Sequence, residues 1–466
     1  MFKELFNPRS IAVIGASKDE NKIGNVVLKN LISEKYDGKI YPINPKITEI
    51  LGLKCYKTLK DIDERVDLAI IVLPAEFVPE TVKECVEAEV RFIIPIAGGF
   101  SESGKEGELR EKEIKEYLKK GSSRLIGPNT VGIYVPQSKV NTALTDPDKI
   151  SYPKDGSLAF ISQSGALGLL TMDSFADLNV GFSTFVSLGN RIDIDENELL
   201  KYFSSDEKTK VVLYYIENFK NGHAFAQLAR EFTKKKPLVV LKAGRTDQGA
   251  KAASLHTGAL GSDDKIIDGV FKQSGVIRAY NETELVDYAR VLAYQKPLTG
   301  NRLAILTTAG GVGVVTTDYV SASINGIGLK MANLKKETKE QIKNIIAPFA
   351  SAENPIDITA GGGDQQYREI LKILNNDDNV DGIIAYALFQ TKYVTENIID
   401  ILKENIREKP IVVGVIGGAY ARTMLRKFEM YNIPAYPSIE RTVKAMKVLY
   451  IRGEYLRRRA DQNGSY

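Results

Sequence analysis

Hydrophobic positions along this chain fall in short runs separated by longer amphipathic stretches. Ser10-Ile11-Ala12-Val13-Ile14, Lys39-Ile40-Tyr41-Pro42-Ile43, residues 67–72 and Phe92-Ile93-Ile94-Pro95-Ile96 are apolar and strand-length. The stretches between them have helical spacing, which predicts a parallel sheet with crossover helices. A short strand is predicted at 124–126 and another at Val211–Ile216. Small-residue turns follow the first and fourth strands, at Gly15-Ala16-Ser17 and Gly98-Gly99-Phe100-Ser101. Such turns place backbone N–H groups at helix N-termini, where anions bind.

The middle and last thirds repeat one another. Residues 157–173 align without gaps on residues 302–318, with Leu158, Ala159, Gly165, Gly168, Thr171 and Asp173 matching Leu303, Ala304, Gly310, Gly313, Thr316 and Asp318. The likeness resumes at Lys236-Pro237 and Lys409-Pro410, and at Ala279-Tyr280 and Ala435-Tyr436. Both segments read as flavodoxin-like α/β units related by duplication. With 466 residues and roughly 150 residues per domain, the chain is predicted to be α/β with three parallel-sheet domains. These are a Rossmann-like domain over 1–145 and two duplicated flavodoxin-like domains over 146–296 and 297–466.

The totals narrow the class. Basic and acidic residues number 63 and 59, a net charge of +4, which argues against a nucleic-acid or membrane-surface partner. The apolar run Leu68-Ala69-Ile70-Ile71-Val72-Leu73 is far short of the ~20 residues a membrane span needs. The N-terminus lacks the apolar segment of a signal peptide. Cys55 and Cys85 have no ligand spacing, so two reduced thiols in a cytoplasmic protein are expected, with no metal site.

The first turn is not the GxGxxG of dinucleotide-binding proteins, because Ala16, Ser17 and Lys18 follow Gly15. At the end of the second strand, where an acidic residue would hold the ribose of NAD, stands Asn44-Pro45-Lys46. A lysine there suits a phosphorylated ribose, the 3′-phosphate of coenzyme A or the 2′-phosphate of NADP; taken alone it is also read as an exposed turn lysine. Gly127-Pro128-Asn129-Thr130-Val131-Gly132 lies at a strand's carboxyl end, where ligands bind in open α/β sheets. In the repeated units, residues 162–165 and 307–311 would each aim a helix tip at an anion. Each tip is worth ~0.3–1 kcal/mol when exposed and up to ~2 when partly buried.

Only two histidines occur, His223 and His256. His256 lies in Ser254-Leu255-His256-Thr257-Gly258-Ala259-Leu260-Gly261-Ser262, flanked by Gly249, Gly258 and Gly261. This is read as a loop that presents or moves an imidazole, and the second copy has no counterpart. His223 follows Asn221-Gly222 at a helix start and is read as a surface or capping residue. Lys242 and Arg245 precede the loop and could meet phosphate or solvent.

In this order, RSIAVIGAS, GPNTVG, ISQSGALG, HTGAL, TTAGGVGV and ENPIDIT resemble the α subunit of nucleoside-diphosphate-forming acyl-CoA synthetases. That family includes the ADP-forming acetate–CoA ligases and is related to succinyl-CoA synthetase. One departure is Leu255, where family members often have serine. The resemblance implies a CoA-binding domain and two ligase-CoA domains. It also implies a separate ATP-grasp β subunit that binds ADP/ATP and Mg, in an α2β2 assembly.

The implied reaction converts acyl-CoA, ADP and phosphate to free acid, ATP and CoA through acyl phosphate and a phosphohistidine at His256. Glu217, at a strand end, would fix the tautomer of His256. Ser164, Gly165, Gly310 and Gly311 would bind phosphate, and Asn129 and Thr130 would meet the acyl group. Gly15, Ser17, Lys46 and Pro74 would hold CoA, and Asp357 would hold structure near a subunit junction. Two other readings remain: a non-catalytic acyl-CoA sensor related to regulators of protein acetyltransferases, and an NADP-linked dehydrogenase.

Overall fold

The computed structural model describes residues 2–257, 263–322 and 328–463, and the side chains of 254–257 and 462–463 fall outside that description. Contacts divide the chain into one unit of Met1–Asp177 with Gly181–Glu282 and a second of Leu178–Val180 with Thr283–Tyr466.

The first unit holds two sheets. The first sheet contains β1 (Ser10–Ile14), β2 (Lys39–Ile43), β5 (Leu68–Ile71), β6 (Phe92–Pro95) and β7 (Arg124–Leu125), all parallel, in the order β2-β1-β5-β6-β7. A small separate hairpin, β3 (Glu49–Ile50) with β4 (Leu53–Lys54), follows β2. All five residues of β1 are buried, as a strand covered on both faces requires.

The second sheet contains β8 (Ile133–Val135), β9 (Val140–Asn141), β10 (Asp155–Ser162), β11 (Phe182–Ser187), β12 (Val211–Ile216), β13 (Leu238–Lys242) and β14 (Ile277–Ala279). Its order is β14-β13-β12-β10-β11-β8-β9, with β8 and β9 antiparallel. One apolar core joins the two sheets, with Ile94 and Leu28 in the same cluster as Ile133 and Ile161.

The second unit is built on β15 (Arg302–Thr307), β16 (Lys330–Met331), β17 (Ile356–Asp357), β18 (Gly382–Tyr386), β19 (Ile411–Gly414) and β20 (Ala435–Tyr436). Its order is β16-β15-β18-β19-β20, with β17 also paired to β15. Counting the parallel strands of each sheet from its own first crossover strand, and leaving β17 aside, all three sheets follow the flavodoxin-like order 2-1-3-4-5.

The second sheet takes in strands that precede residue 145, and the division into two units falls near residue 282. Residues 133–141 join the second sheet, because β8 pairs with β11. The helix Glu282–Tyr294 falls in the second unit from Thr283 onward. Its Arg290 is fully buried there, bonded to Glu429, to the Ala435 carbonyl (2.7 Å) and to Asp287 (3.1 Å). Long-range pairings of this kind leave no mark on local periodicity.

The duplication has a visible physical content. Lys236 Nζ donates to the carbonyls of Phe203 (2.7 Å) and Asp206 (2.5 Å), closing the end of the helix Glu196–Ser205. Lys409 Nζ does the same for Leu374 (3.0 Å) and Asp377 (2.6 Å) after the helix Asp364–Asn375. Burial pushes both amines below their ordinary value. The first domain shares a different clasp with the third. The Arg9 backbone N–H and guanidinium hold Asp67 (2.9 and 3.2 Å), and those of Arg302 hold Asp381 (2.8 and 2.9 Å).

Arg290→Ala removes the cation that faces buried Glu429 and Asp287. It is expected to destabilise the second unit by about 3–5 kcal/mol, measured by urea unfolding followed at probes on each side of residue 282.

Candidate active site

Ligands of open α/β sheets bind where the strand order reverses. In the first sheet that point lies between β1 and β5, and three of the predicted CoA residues line it. Gly15 has φ +93° and passes so close to the next turn that a Cβ would sit 2.3 Å from the Val72 carbonyl oxygen. Ser17 follows it, and Pro74 is exposed just after β5. Asn44 ties in the loop after β2, because its amide donates to the Ala16 carbonyl (2.8 Å) and its oxygen accepts from the Lys46 N–H (2.9 Å). Lys46 is exposed. A small-residue turn beside an exposed lysine fits a phosphorylated nucleotide. Asn44 had only its place in the NPK turn to recommend it.

In the second sheet the reversal lies between β10 and β12. The helix Gly165–Asp177 starts just past β10. The first N–H groups of a helix have no intrahelical acceptor. Ser164 Oγ takes that of Leu167 (3.4 Å), while those of Gly165 and Ala166 have no acceptor among the described residues. A Cβ on Gly165 would lie 2.5 Å from Val131 Cγ1, so glycine lets this tip meet the GPNTVG turn.

That turn is sewn to the loop after β11. The N–H groups of Asn190 and Ile192 donate to the carbonyls of Pro128 (2.9 Å) and Gly127 (3.1 Å). A Cβ on Gly189 would sit 2.1 Å from the Pro128 carbonyl oxygen. A cavity of about 60 Å³ opens between them, lined by Ser101, Glu102, Asn129, Gln163, Asn190 and Arg191 among others.

Asn129, expected near the acyl group, lies exposed at this cavity with φ +59°. Thr130, also expected there, is committed to structure. Its buried hydroxyl donates to the Ser187 carbonyl (2.6 Å) and accepts from the Gly132 N–H (3.1 Å), so it holds the turn that carries Asn129. Glu217 is buried at the end of β12, and its N–H donates to Gln163 Oε1 (2.9 Å).

Sequence reasoning missed Glu102, Asn190, Arg191 and Gln163. Asn190 Nδ2 donates to Glu102 (2.6 Å) and Glu111 (2.8 Å), and Asn129 Nδ2 donates to Asn190 Oδ1 (3.3 Å). Arg191 is buried against Glu196 (2.8 Å) and against the Asn218 side-chain oxygen (2.5 Å). Leu188-Gly189-Asn190-Arg191 carried a glycine–asparagine signal, but nothing in sequence ties it to residue 128. Burial works against the charge of Glu102. Hydrogen bonds from Asn190 and from the Phe100 and Gly99 N–H groups outweigh that, and its carboxyl sits below the usual range.

The expected histidine loop is partly helix, over Asp247–Thr257. Asp247 favours its first turn, Thr246 caps the Gly249 N–H (3.0 Å), and Ala250, Ala252 and Ala253 favour helix. The helix packs on the turn Ser101–Ser103, beside the cavity. The side chain of His256 and residues 258–262 lie outside the described residues.

Lys242 is buried rather than solvated, and burial lowers its amine; Arg245 stacks on Tyr280, 5.0 Å from the ring centre. His223 is at the surface, 3.0 Å from Gln227 Nε2. In the second unit, Gly310 starts the helix Gly310–Ser321, and a Cβ there would lie 2.8 Å from Asp357 Oδ2. That second tip already faces a carboxylate. Among the described residues no cluster of His, Cys, Asp or Glu could hold a metal ion, and no helix is long and apolar enough to cross a membrane.

Comparison with known proteins places each part. The CoA binding domain family matches residues 9–136, the succinyl-CoA ligase like flavodoxin domain 155–292, and the ligase-CoA domain 303–460. The acetate–CoA ligase [ADP-forming] I subunit alpha of Pyrococcus furiosus is 39% identical over 454 residues, 96% of each chain. The acetate–CoA ligase [ADP-forming] of Methanocaldococcus jannaschii is 40% identical over 96% of this chain, which spans 63% of that protein. The solved structure of Ca. Korarchaeum cryptofilum dinucleotide forming acetyl-coenzyme A synthetase 1, in complex with phosphate and ADP, matches with a TM-score of 0.90. Its sequence is 36% identical, with 98% of this chain and 99% of that one covered.

Because the Glu102 carboxyl titrates lower in the folded chain, the unfolded chain takes up its proton first as pH falls. Its contribution to stability is complete above the ordinary carboxylate range and disappears as pH drops through the folded-state value. Glu102→Gln is therefore expected to flatten the loss of thermal stability between about pH 5 and pH 3, measured by parallel melting curves of both proteins.

Proposed function

The chain belongs to the ADP-forming acetate–CoA ligase family, and from that membership we propose the chemistry of its own residues. It is the α-type part of an acid–thiol ligase that interconverts acyl-CoA, ADP and phosphate with free acid, ATP and CoA. The supporting observation is the seam just described, where a turn of the CoA-binding domain meets a helix tip of the ligase domain around one small cavity.

CoA is assigned to Gly15, Ser17, Lys46 and Pro74. The CoA-binding family match favours it over the NADP that Lys46 alone would admit. Phosphate is assigned to Ser164 and Gly165, whose tip favours its charge. A phosphate oxygen adds to the acyl carbon, the carbon–sulfur bond breaks, and CoA leaves as the thiol. Asn129 faces the acyl group. His256 then attacks phosphorus, the phosphorus–oxygen bond to the acyl group breaks, and free acid departs. The phosphohistidine passes its phosphoryl group to ADP.

Dividing one difficult transfer into two is the general advantage of a covalent intermediate. Glu217 is assigned to orient the imidazole, the usual service of a carboxylate to histidine. At Gly310 and Gly311 an incoming phosphate competes with Asp357, so the tighter contact is assigned to the first tip.

The nucleotide, with Mg, is assigned to an ATP-grasp β subunit in an α2β2 assembly. The support is that this chain spans nearly all of a relative named as a subunit alpha but only 63% of the M. jannaschii ligase. A cytoplasmic location is proposed, in keeping with two buried free cysteines.

The test is His256→Ala with purified β subunit and labelled ATP. Acid-labile label on the α chain and acetyl-CoA-dependent ATP formation are expected to fall to background, while calorimetric CoA binding stays at the wild-type level. A variant that still takes up acid-labile phosphate would show that His256 is not the carrier, and a CoA sensor would keep its response.

A further inference from the structure

We propose that Gln163 is a catalytic residue whose carboxamide N–H groups donate to the acyl oxygen as phosphate adds. This rests on the acyl-transfer reading above. Gln163 immediately precedes the Ser164-Gly165 tip, and only 8% of it is exposed. Its backbone N–H and its side-chain oxygen are both engaged. Its backbone N–H donates to the Tyr215 carbonyl (3.0 Å). Its Oε1 accepts from the backbone N–H groups of Glu217 (2.9 Å) and Asn218 (3.3 Å).

Two backbone donors on one oxygen fix which end of the amide is which. The planar carboxamide must then turn its Nε2 away from β12. Gln163 also lines the cavity with Asn129 and Asn190, and its Nε2 has no acceptor among the described residues. Of the other two cavity amides, Asn190 spends its donor on Glu102, Glu111 and Ser101 Oγ, while exposed Asn129 gives one N–H to Asn190. Gln163 is thus the buried cavity carboxamide with both N–H groups left for a ligand.

The chemistry asks for such a group. When a phosphate oxygen bonds to the thioester carbon, the carbonyl π pair moves onto oxygen and creates an oxyanion. Its collapse restores the carbonyl and expels the CoA sulfur with the electron pair of the broken carbon–sulfur bond. A buried donor held in advance stabilises that oxyanion without reorganising. Ordering a glutamine side chain costs up to ~2 kcal/mol of rotamer freedom, and here the Glu217 and Asn218 N–H groups do the holding. The duplicated copy has Thr308 at this position, with a buried side chain. Its shorter side chain could not span the same distance.

Two variants separate the donor from the clamp. Gln163→Glu keeps an acceptor for both backbone N–H groups and loses the donor, whereas Gln163→Met loses both without adding charge. With the β subunit present, each is expected to lower kcat for acetyl-CoA- and phosphate-dependent ATP formation by about 10²–10³-fold, at unchanged KM for acetyl-CoA. Labelling of the α chain from ATP, which involves no acyl group, is expected to proceed as in wild type.

An active Gln163→Glu would overturn the proposal by showing that only the clamp matters, and an active Gln163→Met would reduce the effect to introduced charge. Loss of ATP labelling alongside the acyl step would equally overturn it, as general damage to the site. Failure of the wild-type protein to form ATP from acetyl-CoA would instead remove the acyl-transfer reading itself.

Discussion

The site depends on a contact between main chains. The carbonyl of Pro128, in a turn of the first sheet, lies against Gly189 in a loop of the second, so close that no side chain fits between them. Gly165 likewise lets the helix tip close on the Val131 side chain of the same turn. Main-chain contacts of this closeness fix position better than side chains do, because they leave no rotamers to explore. Through them Asn129, which rides on a left-handed turn residue, is brought to the same cavity as Gln163 and the free N–H groups of the helix tip.

Around this seam the polar groups form a rigid floor. Asn190 serves three carbonyl or carboxylate oxygens at once, Arg191 is buried against Glu196, and Glu102 keeps its charge through neutral N–H donors rather than a cation. A cation and an anion buried together contribute little net stability, but removing one of them is costly. Such an arrangement favours one geometry over its alternatives. The helix Asp247–Thr257 rests on the edge of this floor, against the turn Ser101–Ser103.

The duplicated units show which features follow from the fold and which from function. Both copies cap a helix with a half-buried lysine after the second-to-last crossover, and both fold a hydroxyl onto the residue two positions on, Ser162 to Ser164 and Thr307 to Ala309. These keep the same fold closed. The helix tips differ: one is free at a cavity, the other faces Asp357. Gln163 and the histidine segment occur in the first copy alone. Shared residues maintain the scaffold, and the divergent ones gather around the first tip.

Sequence alone determined the strands, the parallel α/β class, the duplication and the turns that carry Gly15, Asn129 and Gly165. Apolar runs and glycine positions are local properties, set by the period of the backbone and by φ angles that few residues adopt. It also singled out His256, because a lone imidazole among glycines stands out by composition. Only the tertiary structure decided that the Thr130 hydroxyl is buried and bonded within its own turn, that residues 133–141 close the second sheet, and that part of the expected loop is helix. Only it brought Glu102, Gln163 and Asn190 to one cavity. Those residues lie 27 to 88 positions apart, and a hydrogen bond across such a gap depends on how sheets pack, which no window of neighbouring residues records.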